Sequence, residues 1–197
     1  MTGRIIAVCL SQSGGIPKKP RVSCVIAARG FEGDYHNRPL RWSYRRRIWV
    51  PNTDRHLLIV AQETKWDIAR QVQVIAGGKS NFLAQGSLSE NILVEGLGDL
   101  SKMVGGQMLA LCGGKILLRV IEPAKPCKHV RAAYGLGVYK ALEGRRGLYC
   151  AVHEGLKMHV RGGDSIQVVP GGEGVAGDPA PKPRPTATAA PLEFETV

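Results

Sequence analysis

Residues 106–122 read GQMLALCGGKILLRVIE, two apolar runs separated by a pair of glycines. Each run suits a strand with one buried face, and Gly113–Gly114 can supply the positive φ of a two-residue primed turn, so the segment is expected to form a β-hairpin. The same grammar recurs on either side. RIIAVCL from Arg4, SCVIAA from Ser23 and NILVEGL from Asn91 are short strand candidates. LYCAVHE, LKMHV and DSIQVVP follow as further strands, with a tight turn at Gly162–Gly163. Only two helices are expected. HLLIVAQETKWDIARQVQ reads as a strand running into a short helix ended by Gly77 and Gly78, and HVRAAYGLGVYKALEGRRG reads as a broken helix. Many short strands with so few helices point to a mainly β chain, a closed β-barrel rather than a βαβ sheet. The barrel is expected to occupy residues 1–170. Residues 171–197, rich in Gly, Pro, Ala and Thr with little to bury, are expected to be a disordered tail.

The bulk numbers narrow the class. Of 197 residues 44% are hydrophobic, which supports a real core and excludes disorder of the whole chain. Lys plus Arg is 27 against 16 for Asp plus Glu, a net charge of +11 that favours an anionic partner: nucleic acid, anionic lipid or a phosphorylated small molecule. No apolar run approaches the ~20 residues of a membrane span, and the apolar stretch near the N-terminus is too short for a signal peptide. The five cysteines, an odd number, argue against a disulfide scaffold and for a reducing compartment, so a cytoplasmic location is expected.

Cys127 carries the most chemical information. It follows Pro126 and sits among Lys125, Lys128, His129 and Arg131, just after the strand of the hairpin. Neighbouring cations favour a thiolate, the form that acts as nucleophile or soft metal ligand, and the alternative is a spare surface cysteine in a basic loop. The other four cysteines lie in apolar runs, where a thiol acts as a small hydrophobe, and they are expected to be buried in strands and inert. GFEGDYHNR places Asp34, His36 and Arg38 on one glycine-rich turn, as a site or as ordinary turn chemistry. GSLSENILVEG brings Glu90 and Asn91 to a strand mouth, where a polar pair can line a pocket without supporting the core, or can simply cap a loop. RWSYRRRIW interleaves arginines with Trp42, Tyr44 and Trp49, which fits a nucleic-acid surface, an amphipathic edge hairpin beside an anionic ligand, or a solvated basic loop.

Taken in order, GGIPKKP, GFEGDYHNR, SLSENILVEGL, GGQMLALCGGKILLRV, EPAKPCKHV and GRRGLYCAVHEGLKMHVRGGDSIQV resemble the MOSC domain, named for the C-terminal part of molybdenum-cofactor sulfurases. The match runs from about Gly14 to Val169 and is similar to small stand-alone bacterial members. The resemblance implies a β-barrel in which Cys127 is the signature thiol, either a ligand to the molybdenum of a molybdopterin cofactor or the carrier of a persulfide sulfur. It also implies reduction of N-hydroxylated compounds; the sequence shows no flavin or haem motif, so a separate electron-donor protein is expected. By position Asp34 and His36 match the family's GD-x-H turn, Glu90 and Asn91 its EN pair, and Cys127 its cysteine. Cys127, Glu90, Asn91 and His36 are the expected catalytic set, with molybdenum on Cys127. Asp34, Arg38, Asn91, Lys128, Arg145 and Arg146 are the expected cofactor-binding set, the arginines suiting the phosphate of an anionic pterin. The chain departs from the pattern twice. Ser89 stands before EN where small members often have Gly, and the segment from Arg41 to Arg55 is unusually rich in arginine. A sulfur carrier and a nucleic-acid-binding barrel are the competing readings.

Overall fold

The structure is a computed structural model, and it describes residues 1–43, 47–72, 82–103 and 105–169. In chain order its strands are β1 (Thr2–Leu10), β2 (Lys19–Arg21), β3 (Ser23–Ala27), β4 (Gly30–Phe31), β5 (Leu40–Ser43), β6 (Ile48–Pro51) and β7 (Leu57–Ala61). Helix α1 (Gln62–Gln71) follows, then β8 (Ile92–Glu95), β9 (Met108–Leu111) and β10 (Ile116–Pro123). Helix α2 (Lys128–Ala141) precedes β11 (Leu148–Glu154), β12 (His159–Arg161) and β13 (Ser165–Val169). The order β13-β9-β10-β11-β7-β8-β1 closes on itself through the pairing of β1 with β13, giving a seven-stranded barrel. Closure leaves no unpaired edge in the ring. All its pairings are antiparallel except β7 with β8, which α1 connects.

The parallel pair is where the period of two explains the packing. Leu57, Ile59 and Ala61 point into the barrel core, while Leu58 and Val60 point outward against the helices. β8 divides in the same way, with Ile92 and Val94 inside and Leu93 outside. The outer cluster holds Ile68 of α1 with Val130 and Val138 of α2, so both faces of β7 are covered. Such double burial is what a parallel strand requires, and it accounts for the unbroken apolar run LLIVA. α2 is broken at Gly135, whose φ of 83° is non-helical, as the glycine-bearing sequence predicts.

The β9–β10 hairpin forms with a turn other than the expected Gly113–Gly114 one. Leu111 pairs with Ile116, so the connection is four residues, and Gly114 N–H donates to the Leu111 carbonyl at 3.1 Å. The central residues of that turn are Cys112 and Gly113, with φ of 55° and 69°. Cys112 is therefore a half-buried turn residue rather than a buried strand cysteine. The turn at Gly162–Gly163 forms as expected, Asp164 N–H donating to the Arg161 carbonyl. The expected helix stop at Gly77–Gly78 and the expected tail at 171–197 lie outside the described residues.

Gly147 joins the loop after α2 to β11 with φ of 135°, and a Cβ there would stand 2.1 Å from the Ile59 carbonyl oxygen. Gly147→Ala is expected to lower stability by more than about 1 kcal/mol. Urea unfolding checks this, and an unchanged midpoint would contradict the close approach of this loop to β7.

Candidate functional site

A cavity of about 390 Å³ opens where the loop after β1, the turn after β4, the β5–β6 hairpin, the start of β7 and the N-terminus of α2 converge. Five cationic side chains line it, Lys18, Arg38, Arg41, Arg55 and Arg146, and among the described residues no carboxylate does. Cys127 lines it too. Pro126 precedes this residue, which sits in extended conformation (φ −106°, ψ 167°) as the N-cap of α2. Its carbonyl accepts from Val130 N–H at 3.0 Å, while its thiol caps nothing and is half-buried beside the cavity.

Asp34 stands just behind the wall. One carboxylate oxygen accepts from Lys18 Nζ (2.8 Å), Asn91 Nδ2 (3.2 Å) and Ser11 N–H (3.3 Å), and the other from His36 N–H (2.9 Å) and Nδ1 (3.3 Å). Burial alone would raise this carboxyl's pKa, but the hydrogen bonds from His36 and the charge of Lys18 outweigh it and hold the group well below the usual carboxylate range. Lys18, 2% exposed, has its own pKa lowered by desolvation, with Asp34 opposing the shift. Asp34 orients His36, whose side chain is 45% exposed and lines the cavity.

Asn91 lines the cavity and also braces the barrel. Its Oδ1 accepts from Leu58 N–H at 3.1 Å, and its backbone pairs with Leu58 on one side and Cys9 on the other. The expectation that it lines a pocket without supporting the core is therefore corrected: it does both. Glu90 is corrected further. It is fully buried and does not line the cavity. Its carboxylate accepts from Gly86 N–H (2.9 Å), Leu88 N–H (2.8 Å) and Lys65 Nζ. Lys65 also reaches the Ala84 carbonyl and Ser87 Oγ, so this buried ion pair ties α1 to the loop of residues 82–90. That loop presents Ser89 to the cavity with φ of 68°, a conformation that glycine adopts without strain.

The two arginines before β11 part company. Arg146, 3% exposed, lines the cavity and donates to the carbonyls of Lys125 (2.8 Å) and Leu88 (2.6 Å). Its Nε has no hydrogen-bond partner, and no carboxylate pairs with it among the described residues. Arg145, by contrast, is turned to the surface, where it pairs with Asp67 at 3.3 Å. Lys128 is exposed on the first turn of α2 and is absent from the cavity wall. Arg38 is present, its guanidinium 4.1 Å from the Tyr35 ring centre. Arg45 and Arg46 lie outside the described residues.

Sequence reasoning missed Lys18, Asn52, Arg55 and His56. IPKKP carries no sign that one of its lysines is buried, and only the Asp34 contact reveals it. His56 accepts from Val152 N–H at Nδ1 (3.0 Å), and burial keeps its pKa low, so the ring is a neutral wall element.

The family model for the MOSC domain matches residues 21–167, and the chain belongs to that family. Among solved structures it is similar to the YuaD protein of Bacillus subtilis, at 21% identity over 85% of this chain and 96% of that one, with a TM-score of 0.73. It is also similar to YiiM of Escherichia coli, at 20% identity over 86% and 70% with a TM-score of 0.60. YiiM of Geobacillus stearothermophilus matches at 18% identity over 87% and 77%, with a TM-score of 0.59. No curated protein matches.

Two outcomes follow. Because Asp34 titrates lower in the folded chain than its ordinary value of about 4, its stabilising contribution is present above that pH and fades as pH falls through the lower folded value. Asp34→Asn is expected to lower the melting temperature at pH 7 and to flatten the loss of stability between about pH 5 and 2; an unchanged acid limb would remove Asp34 from this role. Burial pushes the Cys9 thiol up to about 12 and the Cys24 thiol up to about 11, and it raises Cys150 as well. Burial, with Asp164, pushes Cys112 up to about 11. Limiting iodoacetamide on the native protein is therefore expected to modify Cys127 first, read by peptide mass mapping; faster labelling of Cys112 would contradict the assignment.

Proposed function

We propose that this protein binds a molybdenum pterin cofactor, with Cys127 as the metal's protein ligand, and reduces N-hydroxylated compounds. The observation that carries the reading is Arg146. A guanidinium this buried, held by two carbonyl oxygens and without a counter-charge among the described residues, is costly unless an anion at the cavity offsets its charge. It shares a carboxylate-free cavity with a thiol, so one ligand carrying both a phosphate and a soft metal meets both needs. The residues present fit such a group: Arg146 and Lys18 on the anionic part, Asn91 and Ser89 as hydrogen-bonding wall, Cys127 on the metal.

When bound, the cofactor would supply two-electron redox chemistry. Reduction of an N–OH group breaks the N–O bond, consumes two electrons and two protons, and releases water. A separate electron-donor protein supplies the electrons. His36, held by Asp34 and open to the cavity, is the group suited to proton delivery. The five unpaired cysteines support a reducing compartment, the cytoplasm.

The test is metal and pterin analysis of protein produced in a host that makes molybdopterin. Wild-type protein is expected to retain both, Cys127→Ser to lose molybdenum, and Arg146→Met to lose the pterin while still folding. A gain of one sulfur on Cys127 with no molybdenum would replace this reading with a sulfur carrier. Steeply salt-dependent oligonucleotide binding, indifferent to Cys127→Ser, would replace it with a nucleic-acid-binding barrel.

A further inference from the structure

The β5–β6 hairpin carries the arginine-rich segment that the proposed function leaves unused. It is a separate two-stranded sheet, and none of its side chains belongs to either core cluster. Trp42 and Trp49 pair across it edge to face, their ring centres 5.6 Å apart, on the same face as Leu40. Ile48 alternates onto the other face. All four stay open to solvent, Leu40 at 46%, Trp42 at 39%, Ile48 at 51% and Trp49 at 53%. A two-stranded ribbon is marginal in water unless something covers its apolar side, and here apolar surface lies open on both faces.

The charge of the segment is one-sided. Between Asp34 and Asp54 stand Arg38, Arg41, Arg45, Arg46 and Arg47, and no Lys, Asp or Glu. Arg41 and Arg47 have no carboxylate partner among the described residues. Apolar side chains ringed by arginines have the composition of a protein-binding surface, where Trp and Arg most often dominate affinity. The charge selects the partner. A second copy of this chain, at +11, would bring like charge to like, whereas an acidic protein surface would neutralise the arginines. Leu40 and Ile48 are aliphatic, and aliphatic surface is matched by a protein's apolar patch rather than by stacked bases. Position narrows the choice further. Leu40, Trp42 and Trp49 line the cavity that holds Cys127 while staying exposed, which puts the hairpin at its mouth.

We propose that the β5–β6 hairpin docks an electron-carrier protein with an acidic surface, the donor that reduction of an N–OH group requires. The inference rests on the reading of the cavity as a reductase site and gives that reading its partner surface. Trp49 and Ile48 are the apolar anchors, and Arg41 and Arg47 meet the partner's carboxylates. Electron transfer weakens steeply with distance, so a carrier held at the mouth of the cavity is well placed and one held at the far end of the barrel is not. Two four-residue strands make a small surface, of the kind that transient redox encounters use.

The test titrates three carriers into the full chain at low ionic strength: an acidic flavodoxin, an acidic two-iron ferredoxin and, as the opposite charge, cytochrome c. Binding is read by calorimetry. At least one acidic carrier is expected to bind, and cytochrome c is not. Arg47→Asp and Ile48→Ser change the hairpin outside the cavity wall. Asp tolerates the φ of 53° that Arg47 adopts. Each substitution is expected to weaken the acidic carrier about tenfold. Lys115→Asp makes the same charge change at the opposite end of β10 from the Cys127 loop, and it is expected to alter affinity by less than about twofold. Molybdenum and pterin are measured on the same samples, so the cofactor reading is judged separately. Both hairpin substitutions are expected to leave that content unchanged, and a protein that docks the carrier but holds no cofactor overturns the cofactor reading alone. Binding of neither acidic carrier, or equal losses from Arg47→Asp and Lys115→Asp, overturns the docking proposal. So does self-association that Ile48→Ser abolishes, or a single-stranded oligonucleotide that binds through Arg47 and Ile48 more tightly than either carrier, because the hairpin would then face a second copy or nucleic acid.

Discussion

The buried carboxylate of Asp34 is the interaction on which the cavity depends. It draws donors from the end of β1 at Ser11, from the loop at Lys18, from its own turn at His36 and from β8's entrance at Asn91. These segments are far apart in sequence, and one acceptor holds them together. An ionised carboxylate can do this because its donors and the Lys18 charge together favour the charged form more than burial opposes it. Asn91 then passes the constraint on to the barrel through Leu58 and Cys9. The inner wall of the site and the barrel strands share these residues, while the β5–β6 pair, a separate two-stranded sheet, completes the wall from outside the barrel.

The same logic explains the site's electrostatics. Three cations are buried among the described residues: Lys18, Lys65 and Arg146. Lys18 has Asp34 and Lys65 has Glu90, in pairs that are 2% exposed or less. Arg146 has only two carbonyl oxygens. Carbonyl dipoles position a guanidinium without neutralising it, so the uncompensated charge is concentrated at the cavity. Arg55, which pairs with Glu122, and the exposed Arg145–Asp67 pair contribute far less, because solvent screens them.

Much of this was legible in the sequence, and the limits are physical. Alternating and continuous apolar runs announced the strands, and scarcity of helical pattern announced a barrel. Cys127 stood out because prolines and cations surround it. Side-chain direction in loops was not legible. Arg145 and Arg146 are adjacent and identical, yet one faces solvent and the other the cavity, a distinction set by the backbone turn into β11. Glu90 looked like a site residue because it pairs with Asn91 at a strand mouth, where a carboxylate can take a proton or orient a base. Its burial depends on Lys65, twenty-five residues earlier, whose position on α1 looks like an ordinary surface lysine. The hairpin turn was misplaced by one residue because Cys112 adopts a positive φ that sequence logic reserves for glycine.

The central claim is that Arg146 is a buried cation waiting for an anion. The most direct measurement is the melting temperature as inorganic phosphate replaces chloride at constant ionic strength, for wild-type protein and Arg146→Met. A saturable rise is expected for the wild type, as binding to the folded state alone requires, and none for the variant. Equal responses in the two proteins would contradict it.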